Sequence, residues 1–284
     1  MILDGKSLAN IERERIADEV SGLGFKPGLA VILVGDDPAS AIYVRSKERA
    51  SEKAGFKSSV IRMQDDTSRQ ELIAQIRKLN GDKSIHGILV QLPLPKHINE
   101  EEVINSISPL KDVDCFHPEN FGRLFAGNQI VEPCTPKGIM RLLEYYKIEI
   151  KGRNALIIGR SNIVGKPIAM LLMQKHATIT IAHSRTADIP LLARNSDIIV
   201  SAIGKAGFVT GDMVKEGASV IDVGINRIDD PQSEKGYRVV GDVDFDTVSL
   251  KAGAITPVPG GVGPMTIAML LQNSLELAKL QAGV

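Results

Sequence analysis

Between an apolar run, Leu156–Ile158, and a helix-forming stretch, the sequence places Gly159-Arg160-Ser161-Asn162-Ile163-Val164-Gly165. Two glycines and a serine at such a junction leave backbone N–H groups able to hold a pyrophosphate. The spacing is not G-x-G-x-x-G, because Ser161 replaces the middle glycine and the turn is longer, so a plain tight turn is the competing reading. After the next strand comes His183-Ser184-Arg185-Thr186, where an NAD-binding protein usually carries a carboxylate for the ribose 2′-hydroxyl. Arg160, Ser184 and Arg185 could together surround a 2′-phosphate, which favours NADP over NAD; a solvated basic loop is the alternative.

A second group of reactive side chains lies in the first half. Tyr43 and Lys47 are four residues apart in a helical stretch, so they share a face on which a substrate could meet both. Exposed i,i+4 neighbours are common on ordinary helices, and position is what distinguishes this pair. Their helix starts just past the carboxyl end of a strand, as does Gln91-Leu-Pro-Leu-Pro95, and open α/β sheets bind ligands at that edge. Two further loops are unusually constrained: Lys111-Asp-Val-Asp114 and Pro257-Val-Pro-Gly-Gly-Val-Gly-Pro264. Glycine lets backbone approach a flat ligand and proline fixes the path, although a rigid turn would use the same residues.

Alternating strands and helices must position these groups. The unbroken apolar run Leu29–Val34 reads as a buried parallel strand, followed by a helix over 38–54 with Asp37 as N-cap, Pro38 as first residue and Gly55 as stop. A strand over 58–62, a helix over 67–79, a strand over 87–92 and a helix over 99–107 come next. Residues 109–136, rich in Pro, Gly and Asn, read as a connection. The second half gives helix 137–146, strand 154–158, helix 166–175, and strands at 178–182, 197–203, 219–223 and 254–258. An amphipathic helix over 265–280 is expected to pack back on the first domain. The whole is α/β with two parallel sheets.

A chain of 284 residues that is 43% hydrophobic has enough apolar material for two cores. Its 34 basic and 34 acidic side chains cancel, so no global field recruits nucleic acid or an acidic membrane. The early charges of the amino terminus and the lack of an apolar run of about 20 residues point to a cytosolic protein. Cys115 and Cys134 fit no ligand spacing and read as reduced thiols, and the five histidines form no metal motif, so no metal is expected.

Taken together, Tyr43-Val-Arg-Ser-Lys47, His86-Gly-Ile-Leu-Val-Gln-Leu-Pro-Leu-Pro95, Lys111-Asp-Val-Asp114, Pro133-Cys-Thr-Pro136, Gly159-Arg-Ser161 and Pro257-Val-Pro-Gly-Gly-Val-Gly-Pro-Met-Thr266 closely resemble the bifunctional methylenetetrahydrofolate dehydrogenase/methenyltetrahydrofolate cyclohydrolase family, known in bacteria as FolD. The segments span most of the chain in the family's order. The resemblance implies an NADP-binding Rossmann domain over 137–258 and a smaller α/β substrate domain over 1–118 with 265–284. Residues 119–136 and 259–264 would connect the domains, with a cleft between them. It implies oxidation of 5,10-methylenetetrahydrofolate with NADP, hydrolysis of the methenyl product to 10-formyltetrahydrofolate, and a cytoplasmic homodimer serving purine biosynthesis.

The resemblance also assigns roles. Lys47 matches the family's catalytic lysine, Gln91 its orienting partner, Tyr43 the aromatic that packs on folate and Asp114 the carboxylate that anchors the pterin. Val90, Leu92, Gly260, Gly261, Val262, Gly263, Pro264 and Met265 would line the substrate pocket, while Gly159, Arg160, Ser161, Gly165, Ser184, Arg185 and Ile225 would hold the cofactor. A methylene carbon between two nitrogens can lose hydride with lone-pair assistance, so oxidation chiefly needs positioning, whereas hydrolysis calls for a base such as a neutral lysine. Cys115 stands where most relatives have glycine. A monofunctional enzyme of this fold, or a non-catalytic NADP- or folate-binding regulator, would use much of the same framework; an intact Tyr43, Lys47, Gln91 and Asp114 set argues against the regulator.

Overall fold

The computed structural model describes residues 1–233 and 236–284 and divides into two compact units, each holding its own parallel sheet. Asn10–Cys134 with Ile267–Val284 form one, here called the Lys47 unit; Met1–Ala9 with Thr135–Thr266 form the other, the Gly159 unit. The strand–helix alternation expected of an α/β chain is present in both.

In the Lys47 unit the order begins with α1 (Gly5–Ser21), which starts in the other unit, β1 (Gly28–Val34), α2 (Pro38–Lys53) and β2 (Lys57–Met63). It continues with α3 (Arg69–Gly81), β3 (Gly87–Val90) and α4 (Glu100–Ser106). The sheet order is β2-β1-β3, all parallel. Every residue of β1 is buried because it has a strand on each side, which is why its sequence lacks polar alternation. The start of α2 is as the sequence expects: Asp37 accepts a hydrogen bond from the Ser40 N–H at 2.7 Å, Pro38 opens the helix, and Gly55 leaves it at φ +84°. A capping box between Ser68 and Glu71 starts α3.

In this unit two elements depart from the sequence reading. The stretch 109–136 is not only a connection, because it folds α5 (Pro118–Ala126) between a His117 N-cap and Gly127 at φ +76°. At nine residues α5 is too short to show a sustained period, and Pro118 marks its start rather than a loop. The sequence reading also gave no element to α1, whose buried stripe of Leu8, Ile16 and Val20 is interrupted by buried Glu12; that carboxylate accepts from Arg15 Nε at 3.1 Å. The C-terminal helix (Val262–Ala282) packs Leu271 and Leu275 with Ile16, Val20, Ala54 and Phe56 in this unit.

The Gly159 unit contains α6 (Cys134–Tyr145, whose first residue belongs to the Lys47 unit), β4 (Asn154–Ile158), α7 (Gly165–Gln174), β5 (Thr178–Ala182) and α8 (Ile189–Arg194). β6 (Ile198–Ser201), β7 (Ser219–Asp222), the antiparallel hairpin β8 (Asn226–Asp229) and β9 (Tyr237–Val240), α9 (Phe245–Ser249) and β10 (Ala254–Ile255) follow. The C-terminal helix is α10 in this order. Parallel strands run β10-β7-β6-β4-β5 over a core that includes Leu156, Ile158, Ile199 and Val220. The chain's first residues belong here because they extend the β10 edge, Leu3 N–H donating to Ile255 O at 2.8 Å and Ile255 N–H to Met1 O at 3.0 Å. The four-residue strands β8 and β9 are half-polar and escape a periodicity search.

Both sheets place their first strand between the second and third. In a doubly wound sheet this makes a switch point at the carboxyl ends of the first and third strands, where ligands bind. Among the described residues no helix is long and apolar enough to cross a membrane, and Cys115 and Cys134 are buried and not joined in a disulfide.

Candidate active site

At the switch point of the smaller sheet, the α2 helix that follows β1 and the loop that follows β3 meet through side chains. Val44 is buried in the core, Tyr43 beside it is exposed, and Lys47, one turn further along α2, is half-buried. Lys47 Nζ donates to Gln91 Oε1 at 3.0 Å. Gln91 directly follows Val90, the last residue of β3, and its Nε2 donates to Leu92 O at 2.6 Å, so both ends of the amide are engaged and its oxygen is turned to the lysine.

Asp114 reaches this group through a braced loop. Ile88 N–H of β3 donates to Lys111 O at 2.7 Å, and Ile88 and Asp112 form a parallel bridge. Lys111 Nζ donates to Leu79 O, Asn80 O and Asp82 O at 3.0, 2.9 and 2.8 Å, tying the loop to the carbonyl end of α3. Asp112, buried, accepts from His117 N–H at 2.8 Å and Asn120 Nδ2 at 2.9 Å. Val113 packs so close to β3 that a Cβ on Gly87 would come within 2.4 Å of its Cγ1. Three residues of the motif are therefore scaffolding for the fourth. Burial pushes the Asp114 carboxyl above the usual carboxylate range; the nearby Lys47 ammonium pulls it back, Asp112 adds to the rise, and the Cys134 thiol, 3.6 Å from Oδ1, lowers it.

The turn after β4 is held by absent side chains. Gly159 has φ +126°, and a Cβ there would lie 2.4 Å from Ala202 O; a Cβ on Gly165 would lie 2.3 Å from Gly159 O. Ser161 Oγ accepts from the N–H groups of Val164 and Gly165, each at 3.2 Å, at the start of α7. Arg160, Ser184 and Arg185 are exposed. The loop of the last two is a turn in which His183 N–H donates to Thr186 Oγ1 at 2.9 Å and Thr186 N–H to His183 O at 2.8 Å. The first acidic residue after β5 is Asp188, and its carboxylate caps α8 by accepting from Leu191 N–H at 3.0 Å. The residues thus suit a phosphate-bearing dinucleotide: close backbone at the turn, cations beside it, and no carboxylate at the strand end.

The other sequence-derived candidates lie as follows. Gly260 has φ +109° and its carbonyl accepts from Lys6 N–H at 2.8 Å; Gly261 would bring a Cβ within 2.6 Å of Pro257 O. Val262, Gly263 and Pro264 open α10, Met265 is buried, and Ile225 is 53% exposed. Gly260 to Met265 belong to the Gly159 unit, whereas Tyr43, Lys47, Gln91 and Asp114 belong to the Lys47 unit. Sequence reasoning gave no role to Cys134 or Asn273. Asn273 Nδ2 donates to Val113 O at 2.8 Å and Glu132 O at 2.7 Å, and both residues brace the Asp114 loop from distant positions that no spacing rule connects.

A glycine turn at the switch point of a doubly wound sheet, with a Lys–Gln pair beside a carboxylate on a second sheet, defines a dinucleotide-dependent α/β enzyme. Comparison with known proteins makes the class specific. The tetrahydrofolate dehydrogenase/cyclohydrolase catalytic domain matches residues 3–114 and the NAD(P)-binding domain of the same name matches residues 133–282, so this chain belongs to the tetrahydrofolate dehydrogenase/cyclohydrolase family. The bifunctional protein FolD of Moorella thermoacetica is 56% identical over 281 residues, covering 98% of each chain. The crystal structure of the bifunctional FolD dehydrogenase/cyclohydrolase from Campylobacter jejuni matches with a TM-score of 0.95 and 49% identity over 99% of both chains. The Trypanosoma brucei FolD structure, complexed with NADP cofactor and inhibitor, matches with a TM-score of 0.96 and 40% identity over 100% of this chain and 99% of that one.

Proposed function

We infer that the protein oxidises 5,10-methylenetetrahydrofolate to 5,10-methenyltetrahydrofolate with NADP, and hydrolyses that product to 10-formyltetrahydrofolate. The observation that carries the reading is the Lys47–Gln91 bond of 3.0 Å, with the Asp114 carboxyl close enough to the lysine to interact with it electrostatically.

Asp114 offers two acceptor oxygens to the amino and ring N–H groups of the pterin, and the bracing of its loop fixes their direction. Tyr43 packs on the folate from the same helix face as Lys47. In the hydrolytic step a water oxygen bonds to the cationic methenyl carbon and its proton passes to Lys47 Nζ. The bond from that carbon to N5 then breaks as the protonated lysine returns its proton to N5 and the hydroxyl passes its own proton to the lysine amine so formed, leaving the formyl C=O on N10 and one proton to be released to solvent. Gln91, being neutral, orients the amine without pairing it as an ion. In the oxidative step the residues of this chain position rather than react, and NADP, when bound, is the hydride acceptor.

Gly159, Ser161 and Gly165 would take the pyrophosphate, Arg160, Ser184 and Arg185 the 2′-phosphate, and Ile225 an apolar part of the cofactor. Val90 and Leu92, on the β3 side of the Lys47 unit, would contact folate; Gly260, Gly261, Val262, Gly263, Pro264 and Met265, in the Gly159 unit, are assigned to folate on family membership. The reading extends to a cytoplasmic homodimer feeding purine biosynthesis, for which family membership is the support.

Turnover of purified protein on methylenetetrahydrofolate, with reduced nicotinamide and methenyl followed separately, tests it. NADP-dependent reduction followed by methenyl decay is expected. Persistent methenyl would leave a monofunctional dehydrogenase, and hydrolysis of added methenyl without reduction would overturn the reading of the Gly159 turn.

A further inference from the structure

Two buried carboxylates in the Gly159 unit are not used by any role assigned above. Asp242, fully buried, collects the three successive N–H groups of Ile203 (2.7 Å), Gly204 (3.2 Å) and Lys205 (2.8 Å), and also the side chains of Asn226 (Nδ2, 3.0 Å) and Ser201 (Oγ, 3.4 Å). Consecutive backbone N–H groups converging on one point form a nest, an arrangement that binds anions. Gly204 contributes the positive φ, +65°, that curls this one. Here the protein's own carboxylate fills the nest.

Asp222, at the end of β7, holds Asp242 in turn. Its oxygens accept from the N–H groups of Asp242, Val243 and Gly224, each at 2.9 Å. Two glycines make room for the pair. A Cβ on Gly224 would lie 2.2 Å from Asp242 Oδ1, and one on Gly241 1.7 Å from Asp222 Oδ2.

The place of this network in the sheet gives it a purpose. The nest follows β6 and the Gly159 turn follows β4, and these strands are neighbours that flank the switch point. The two turns touch, since only the missing side chain of Gly159 lets Ala202 O approach. Because Asp242 fills the nest, these N–H groups are not open to a phosphate from outside. Ile225 sits between Gly224, pinned by Asp222, and Asn226, pinned by Asp242, yet its own side chain is 53% exposed. An apolar side chain held in solvent on a backbone fixed at both sides is suited to receive a ligand.

We propose that Asp242, supported by Asp222, is a positioning residue for NADP: it fixes the Ile203–Lys205 loop and the Ile225 segment against which the cofactor lies, without itself touching the cofactor. The proposal rests on the functional reading above. NADPH titration of the wild-type protein comes first, because absence of binding there would sink that reading rather than this one. In Asp242→Asn and, more mildly, Asn226→Ala, the KM for NADP should rise, by roughly tenfold or more in Asp242→Asn, while the KM for methylenetetrahydrofolate and the rate of methenyl hydrolysis move far less. Should Asp242→Asn fail to fold, Asn226→Ala, which removes one donor at the nest, carries the test through the same KM split. An unchanged KM for NADP in a folded variant, or an equal loss of both activities, would overturn the proposal.

Discussion

The two units share a strand order and differ at the junction after the first strand. At β1–α2 the helix start is closed by its own carboxylate, Asp37, which accepts from Ser40 N–H. A phosphate arriving there would meet a negative charge. At β4–α7 no acidic side chain stands in the first turn, the residue before the helix is Val164, and glycines at 159 and 165 draw the backbone tight beside Arg160. One topology thus offers a helix face bearing Tyr43 and Lys47 in one unit and an anion-receptive turn in the other. The choice is made by a handful of local residues, which is why fold alone would not have assigned either function.

Four substitutions put this contrast to the test. The largest effect belongs to Lys47→Met, which should lower methenyl hydrolysis by about a thousandfold, within the range for loss of a general base, with folate and NADPH binding retained. Unaltered hydrolysis would remove Lys47 as base. Gly165→Ala comes next: its Cβ would press on Gly159 O and Arg160 Cα, both backbone atoms that cannot swing aside. NADPH affinity, read by fluorescence titration, should fall by about tenfold or more for a loss of one to two hydrogen bonds' worth of fit.

Asp114 gives a pH test of the other unit. Only the ionised carboxylate offers both oxygens as acceptors, and burial raises the pKa at which ionisation is lost. Affinity for a folate analogue should therefore weaken as pH falls through that raised value, whereas Asp114→Asn should bind more weakly at neutral pH and show no such dependence on this group. A parallel pH dependence in the variant would show that another group titrates. The smallest change is Asp37→Ala, which removes the α2 cap and should cost about 1 kcal/mol of stability by thermal or denaturant unfolding, with NADPH affinity unchanged.

How much of this was legible beforehand depended on whether a feature is local. The α2 start at Asp37-Pro38, the buried run of β1 and the glycines of the β4–α7 turn carry their reasons within a few residues, and all appear where the sequence places them. Helix α5 was hidden by its short length, and α1 by Glu12 within its buried face. The Asp222–Asp242 network and the Asn273 brace join positions far apart in sequence, and a buried Asp reads in sequence like any exposed one. Cys115 is intermediate. It takes φ +59°, a left-handed conformation that glycine adopts without strain, and here a buried thiol fills the space and donates to Val131 O.

Hydrolysis should depend on the Lys47 group and reduction additionally on the Gly159 turn, a division of labour between the two units. Its most direct measurement is hydrolysis of added methenyltetrahydrofolate, without NADP, by Gly165→Ala protein whose circular dichroism matches the wild type. Hydrolysis close to the wild-type rate, together with lost NADP reduction in the coupled assay, is the expected result. Loss of hydrolysis in step with reduction, in a protein that remains folded, would contradict the division.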